Sequence, residues 1–234
     1  MPDPSGYQAI LSDGTVIWRE GGSNVTGEIN VIDLHAYWKD PTRYGEKNNF
    51  NNEEDYFKCP ERSEKLVELF KGYIGEGSKI LELGCNVGRN LHYLYQAGYH
   101  NLTGIDINSK ALQLGKEHYP ELADRFICGE IGEVLEMCYP EEFDVIFTMA
   151  VLEHIHPQQM RYLADKIGIT AKDYVITCED ESAIFWRAFS YNYKKLFEYI
   201  GFKELESFQL PCTNTIDNSG NFTLTYRVFK KGKI

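Results

Sequence analysis

The stretch that decides the fold is residues 80–90, ILELGCNVGRN. It begins as an apolar strand containing the acidic Glu82, turns through Gly84 and Gly88, and continues as a helix. Gly84 has no Cβ, so the backbone there can bend sharply and approach a ligand closely. In open parallel sheets, ligands bind beyond the carboxyl ends of the strands, where the strand order reverses. The stretch therefore predicts an α/β fold with a ligand site at this turn.

Strand and helix patterns alternate along the rest of the chain. The apolar strand patterns occupy residues 79–83, 101–106, 125–128, 143–149 and 173–178. The helical patterns occupy residues 61–74, 88–97, 108–118, 131–138, 157–167 and 189–200. Strands that alternate with helices predict a doubly wound, mostly parallel sheet covered on both faces. Residues 202–210 and 221–230 are both strand-like, and we expect them to form an antiparallel pair at one edge.

The N-terminal part has a different pattern, so we divide the chain into residues 1–60 and a ligand-binding domain, residues 61–234. Residues 7–11 and 15–19 are strand-like and flank a turn at 12–14, which is typical of a β-hairpin. This appended hairpin is a candidate dimerisation ribbon or lid anchor. Residues 31–60 are aromatic and polar, with a loop expected at 48–52. Their aromatic side chains would either cover a ligand or pack the segment down.

Composition limits the ligands and the compartment. The net charge is -11, and the only dense basic group is Lys230, Lys231 and Lys233. DNA and RNA are therefore disfavoured, because neutralisation of phosphates dominates nucleic-acid affinity; a small or cationic ligand fits better. The chain shows no signal peptide, no apolar stretch long enough to span a membrane, and no paired cysteine spacing. We expect a cytoplasmic protein that does not enter a membrane.

A second acidic residue supports a nucleoside ligand. Asp106 ends the second strand, 22 positions after Gly84, where a carboxylate can accept both hydroxyls of a ribose. A nicotinamide dehydrogenase would share this arrangement, but its Gly-x-Gly-x-x-Gly fingerprint requires glycine at the positions of Asn86 and Arg89. The dehydrogenase alternative is therefore disfavoured.

With these segments together, the sequence resembles the class I S-adenosylmethionine-dependent methyltransferases. Residues 82–88, ELGCNVG, resemble the first motif of that family, and Asp106 resembles its ribose ligand. Residues 129–131 resemble its adenine-edge segment, and residues 143–155 resemble its fourth motif, including the Leu-Glu-His of one large subgroup. The resemblance covers about residues 61–230. Asn86 stands where the middle glycine is usual, and asparagine tolerates such turn conformations well.

The resemblance implies S-adenosylmethionine as the cofactor. No group of His, Cys, Asp and Glu has metal-ligand spacing, so we expect no metal ion. Gly84 and nearby backbone would contact the methionine portion, Asp106 the ribose, Ile107 the adenine face, and Glu130 or the Ile131 amide the adenine edge. Glu82 would orient the loop or accept a hydrogen bond from the ammonium group. The complete set of candidate cofactor-binding residues is Glu82, Gly84, Cys85, Asn86, Gly88, Asn90, Asp106, Ile107, Glu130, Ile131 and Met149.

Candidate acceptor-site residues follow the fourth and fifth strands of the alternating series. Glu153 and His154 come first, and His154 is the candidate general base because an imidazole titrates near neutral pH. Its alternative role is structural, and His156, directly before a proline, is a candidate helix-entry residue. Glu179 heads a run of three acids, 179–181, of which one or two would bind a cationic amine or order sugar hydroxyls. The alternative for this run is a solvated loop.

The aromatic residues after this acidic run are Trp186, Phe189, Tyr191 and Tyr193, with Arg187 among them. We expect most of them in the core and one or two in a pocket. Three functions follow. The first is methyl transfer to an O or N atom of a small molecule, such as a sugar or surface-glycan precursor. The alternatives are a protein or RNA methyltransferase, and a non-catalytic scaffold.

Overall fold

The computed structural model of the 234-residue chain describes residues 7–10, 16–19, 31–41, 56–182, 188–213 and 221–232. Several predicted features lie outside these residues: the hairpin turn at 12–14, the loop at 48–52, Trp186, Arg187 and Lys233.

A seven-stranded sheet forms the centre of the described chain. Its strands are β3 (Ile80–Leu83), β4 (Leu102–Asp106), β5 (Phe126–Cys128), β6 (Phe143–Met149), β7 (Ala171–Glu179), β8 (Phe202–Thr213) and β9 (Asn221–Lys231). They lie in the order β5-β4-β3-β6-β7-β9-β8. Strands β3 to β7 are parallel, while β9 runs antiparallel to both β7 and β8. This confirms the predicted doubly wound sheet and its antiparallel edge pair.

Helices cover both faces of the sheet. They are α2 (Pro60–Tyr73), α3 (Arg89–Gln96), α4 (Ser109–His118), α5 (Ile131–Glu136), α6 (Pro157–Thr170) and α7 (Tyr193–Tyr199). Apolar residues of α2, α3 and α4 form one buried cluster with Ile80, and those of α5, α6 and α7 form another with Leu81 and Leu83. Successive side chains of a strand point to opposite faces, so β3 contributes to both clusters. Its position also sets the site, because the strand order reverses between β3 and β6.

The N-terminal segment contains the expected hairpin and an unexpected helix. Strands β1 (Tyr7–Ile10) and β2 (Val16–Arg19) pair antiparallel, as predicted. Helix α1 (Val31–Lys39) occupies part of the segment for which the sequence indicated only aromatic and polar residues. Its buried Leu34 packs against Phe189, so tertiary contact supports a helix that the local pattern did not reveal. Within the described residues, no helix is long and apolar enough to cross a membrane.

The start of α7 differs from the prediction. Helical spacing suggested a start at residue 189, whereas α7 begins at Tyr193, after Asn192, whose side chain accepts a hydrogen bond from the Lys195 amide. Before α7, the Phe189 amide donates to the Glu153 carbonyl at 2.7 Å, a bond outside any helix. The Phe189 ring is fully buried, so it serves the core, as expected of most aromatics in this region.

Candidate active site

The loop between β3 and α3 is a left-handed turn built on alternate residues. Gly84, Asn86 and Gly88 have φ of 72°, 50° and 78°. A Cβ on Gly84 would lie 2.4 Å from a Val151 methyl carbon, and one on Gly88 would lie 2.5 Å from the Phe126 ring. Both glycines are therefore required by conformation and by space. Asn86 adopts the third left-handed position, which asparagine tolerates.

Asp106 fastens this loop to the end of β4. Its Oδ2 accepts from the Asn86 amide at 2.7 Å, and its Oδ1 accepts from the Asn108 amide at 2.8 Å. Burial raises the pKa of Asp106, and these backbone amides oppose that rise. A carboxylate has about four acceptor sites, so the two oxygens retain capacity for ligand hydroxyls. Ile107, partly buried, follows directly at the same edge of the sheet.

Glu82 lies beneath the loop in a buried hydrogen-bonded chain. The Ser63 hydroxyl donates to the Asn90 side-chain oxygen at 2.7 Å, and the Asn90 amide nitrogen donates to Glu82 Oε1 at 2.7 Å. The side-chain amide of Asn90 is thus hydrogen-bonded at both ends, and the predicted contact of Asn90 with the cofactor stays a prediction. Within the described residues, Glu82 Oε2 has no hydrogen-bond partner. Burial raises the pKa of Glu82 to about 8.

Glu130 caps the first turn of α5. Its Oε2 accepts from the Glu133 amide at 2.8 Å, and its Oε1 lies 3.9 Å from Nε2 of His35 on α1. This places α1 beside the segment predicted to contact an adenine edge. The Ile131 side chain is buried beneath it. No sequence pattern indicated the contact with His35, because the two residues are far apart along the chain.

Cys85 and Met149 have different positions relative to the loop. The Cys85 side chain is buried against Gly104 of β4, so within the loop only the backbone of Cys85 is available to a ligand. Burial raises the pKa of this thiol. Met149 ends β6, and its sulfur lies 3.8 Å from Nη2 of Arg89. Met149 is buried in the core and contacts the residue that directly follows Gly88.

Arg89 is a site residue that the sequence analysis missed. It follows Gly88 at the first position of α3, which was the available signal. Its Nε donates to Ser63 Oγ at 3.0 Å, and its Nη1 donates to the carbonyls of Tyr56 at 3.0 Å and Lys58 at 2.6 Å. Arg89 thus joins the loop to the segment that precedes α2.

Glu179 corrects a prediction about the acceptor side. It was expected to face an acceptor, but its side chain is fully buried. Its Oε1 accepts from the Thr148 hydroxyl at 2.6 Å, and its Oε2 accepts from the amides of Val151 at 2.9 Å and Glu153 at 3.3 Å. Burial raises the pKa of Glu179 to about 7. The residue holds the turn after β6 from below.

The other two acids of this run also have partners within the chain. Asp180 Oδ1 accepts from the Ser182 amide and hydroxyl, so it caps the turn that follows, as one of the three was expected to do. Glu181 forms a two-point ion pair with Arg227 at 2.6 and 2.8 Å. The expectation of an acid that faces an acceptor is therefore wrong for Glu179, and for the half-buried Asp180 and Glu181 it stays a prediction.

Glu153 and His154 lie in a short helical turn, Leu152–His154, above Glu179. His154 Nε2 is 3.5 Å from Glu153 Oε1, and Glu153 Oε2 accepts from the Asp180 amide at 2.6 Å. The His154 ring packs 4.3 Å from the Trp38 ring of α1, and 14% of its side chain is exposed. His156 lies at the start of α6, as predicted, and its side chain caps the helix by accepting a hydrogen bond from the Gln158 amide. In the described part of the chain, no group of His, Cys, Asp and Glu is arranged to hold a metal.

The residues of this site lie in a segment that resembles known proteins. Residues 80–171, which contain the loop, Asp106 and the turn with His154, match the family model described as a methyltransferase domain. The chain therefore contains a methyltransferase domain at these residues, in agreement with the resemblance that the motifs carried.

Two methyltransferases with known sequences match only part of the chain. The chain is 33% identical over 84 residues to the ubiquinone biosynthesis O-methyltransferase of Actinobacillus pleuropneumoniae serotype 7. The matched residues cover 34% of this chain and 36% of that protein. The chain is 28% identical over 123 residues to an uncharacterized RNA methyltransferase of Protochlamydia amoebophila, covering 45% of this chain and 28% of that protein. The chain thus spans about a third of the length of these methyltransferases.

A solved structure resembles the chain over nearly its full length. The 1,6-didemethyltoxoflavin-N1-methyltransferase of Burkholderia thailandensis superposes with a TM-score of 0.66, covering 97% of this chain and 99% of that one. The sequence identity is 14%, so the likeness is one of fold.

Proposed function

We propose that this chain transfers a methyl group from S-adenosylmethionine to an O or N atom of a small molecule. The observation that carries the proposal is the left-handed loop 84–88 fastened by Asp106 at the switch point of the sheet. A loop of this shape leaves backbone close to a ligand, and the carboxylate beside it retains acceptor capacity for ribose hydroxyls. The buried Glu82 Oε2, which has no partner within the described residues, fits a cationic amino-acid ligand above it.

Each portion of the cofactor has a counterpart among the residues of this edge. Backbone at Gly84 would hold the methionine portion, Asp106 the ribose, Ile107 the adenine face, and Glu130 or the Ile131 amide the adenine edge. The cofactor supplies a methyl group already activated on a sulfonium. The protein's part is to position the acceptor and to remove its proton when the acceptor is a hydroxyl or an ammonium.

His154 is the proposed general base. It lies beside the end of β6, and its Nε2 is 3.5 Å from the Glu153 carboxylate, which can stabilise the imidazolium formed when His154 takes a proton. Glu153 is held by the Asp180 amide, and the turn is held by Glu179. Glu153 and Glu179 therefore act as positioning residues for His154. Trp38, which packs on the His154 ring, borders the same place from α1.

The proposed acceptor is a small molecule rather than a nucleic acid. The net charge of -11 opposes binding to a phosphate backbone. The ubiquinone biosynthesis O-methyltransferase matched above favours an oxygen acceptor. A sugar or surface-glycan precursor remains our candidate, since hydroxyl groups would suit a histidine base.

Labelled methyl transfer tests this function. The protein is incubated with S-adenosylmethionine carrying a labelled methyl group and a cell extract, which is then separated into small molecules, RNA and protein. We expect the label in the small-molecule fraction. Label in the RNA or protein fraction alone would overturn the small-molecule acceptor. Binding of S-adenosylhomocysteine without label in any fraction would favour the non-catalytic scaffold.

The same assay tests the base. His154→Ala should reduce labelling by about 100-fold or more, the usual contribution of a general base, while the affinity for S-adenosylhomocysteine stays unchanged. His100→Ala, at an exposed histidine, is the matched control and should label as the wild type does. Equal labelling by His154→Ala and wild type would assign His154 a structural role.

A further inference from the structure

The turn that contains His154 is held by two segments that follow β7. The Asp180 amide donates to Glu153 Oε2 at 2.6 Å, and the Phe189 amide donates to the Glu153 carbonyl at 2.7 Å. Glu153 directly precedes His154, and its Oε1 lies 3.5 Å from Nε2 of that histidine. The backbone and the carboxylate of Glu153 therefore both depend on where residues 180 and 189 lie.

Glu181 joins these two segments to each other. The Ser190 hydroxyl donates to the Glu181 carbonyl at 2.6 Å, and Ser190 directly follows Phe189. Glu181 directly follows Asp180, so its position constrains the amide that holds the Glu153 carboxylate. A side chain that fixes Glu181 thus stabilises both contacts with the turn.

Arg227 of β9 fixes Glu181. Its Nε and Nη2 donate to the two carboxylate oxygens of Glu181 at 2.6 and 2.8 Å, and its Nη1 donates to Glu204 of β8. Lys194 of α7 lies 3.2 Å from the other oxygen of Glu204. Only 15% of the Arg227 side chain is exposed. A two-point contact between arginine and a carboxylate fixes direction as well as distance, so the antiparallel edge of the sheet holds Glu181 in one place.

We propose that Arg227 positions the general base His154. It acts through Glu181, whose neighbour Asp180 holds Glu153 beside the base. Arg227 lies outside residues 80–171, the part of the chain that matches a methyltransferase domain. The inference rests on the proposed function, because it concerns the base of that reaction. Arg227 acts through other residues, so it is a positioning residue.

Labelled methyl transfer at varied concentrations of S-adenosylmethionine tests the proposal, with the small-molecule fraction of a cell extract as the acceptor source. Arg227→Gln should lower the maximal rate by about 10- to 100-fold, because a base that is no longer held is misplaced. The KM for S-adenosylmethionine and the affinity for S-adenosylhomocysteine should stay unchanged, since the cofactor residues are not touched. Glu181→Gln should have a similar effect. It leaves Arg227 paired with Glu204, so it replaces Arg227→Gln if circular dichroism shows that variant unfolded.

Two further variants separate positioning from a general contribution to stability. Glu204→Gln removes one partner of Arg227 and leaves the contact with Glu181, so it should lower thermal stability without changing the maximal rate. Glu153→Ala removes the side chain through which Arg227 acts. Adding Arg227→Gln to Glu153→Ala should therefore cause no further loss of rate, because the two effects are not independent.

The outcomes are distinct. A lower maximal rate in Arg227→Gln that disappears in the Glu153→Ala background supports the proposal. An equal fold-loss in both backgrounds, or an equal loss in Glu204→Gln, would overturn it and leave Arg227 as part of a structural ion-pair network. A wild-type rate in folded Arg227→Gln or Glu181→Gln would also overturn it. A folded wild type that labels no small molecule would overturn the proposed function itself.

Discussion

At the scale of single residues, Glu82 couples the site to the stability of the fold. Its carboxyl is 1% exposed, with one oxygen bonded to Asn90 and the other without a partner among the described residues. Burial raises its pKa from the ordinary value of 4.5 to about 8. Between these pH values the unfolded chain releases the proton and the folded protein keeps it. The free energy of unfolding therefore falls as pH rises through this window.

Glu82→Gln should remove that part of the pH dependence. Urea unfolding at pH 5 and pH 8 should show the variant losing less stability than the wild type, by on the order of 2–4 kcal/mol. Glu179, with its pKa raised to about 7, and Asp106 contribute in the same direction and remain in both proteins. Glu117→Gln, at an exposed glutamate on α4, is the control for loss of a carboxyl. Equal pH dependence in wild type and Glu82→Gln would contradict the assigned protonation.

The turn conformation at Gly84, Asn86 and Gly88 could be predicted from the sequence, because the motif is contiguous and the conformation is local. Their contacts with the cofactor stay predictions. The partners of Glu179 could not be predicted, because Thr148 and Val151 reach it only through the pairing of β6 with β7. From the sequence alone, a run of three acids could equally be a solvated loop, because the partners of Glu179 are visible only in the folded chain.

At the scale of structural elements, the loop between β3 and α3 makes a sharp prediction. Gly84→Ala places a methyl group 2.4 Å from Val151 at a φ of 72°. The strain and the overpacking together should lower the free energy of unfolding by about 2–4 kcal/mol, and cofactor affinity should fall with it. Thermal or urea unfolding measures the first effect, and calorimetry measures the second.

The same substitution in α2 is the matched control. A Cβ on Gly72 meets nothing within 4 Å, and alanine is favoured over glycine in a helix by up to about 1 kcal/mol. Gly72→Ala should therefore stabilise the protein slightly and leave cofactor binding unchanged. If Gly84→Ala and Gly72→Ala changed the free energy of unfolding in the same direction, the result would contradict the strain assigned to Gly84.

Element boundaries were predictable where hydrophobic pattern alone sets them. Strand β6 spans the predicted residues 143–149, since its apolar run is buried along nearly its whole length. Helix α7 starts later than predicted because the Phe189 amide donates to the Glu153 carbonyl and the Phe189 ring packs against Leu34. Helix α1 was missed because its contacts, Trp38 with His154 among them, are with distant residues. In both cases, the prediction was wrong because contacts with residues distant in sequence, not local propensity, set the structure.

At the scale of the whole molecule, the alternation of strands and helices was enough to predict the sheet. The order β5-β4-β3-β6-β7-β9-β8 brings the loop 84–88, Asp106, Met149 and His154 to one edge. Sequence order alone could not show that α1 lies over that edge, with His35 near Glu130 and Trp38 near His154. The dimerisation role of the hairpin and the division at residue 60 stay predictions.

The central claim is that this edge binds S-adenosylmethionine through Asp106. Calorimetric titration with S-adenosylhomocysteine tests it most directly, with Asp106→Ala beside the wild type and Asp124→Ala, at an exposed aspartate, as the control. We predict micromolar binding by wild type and Asp124→Ala, and a loss of about 1–3 kcal/mol for Asp106→Ala, because ribose hydroxyls lose their acceptor. No binding by a folded wild type, or equal binding by all three proteins, would contradict the claim.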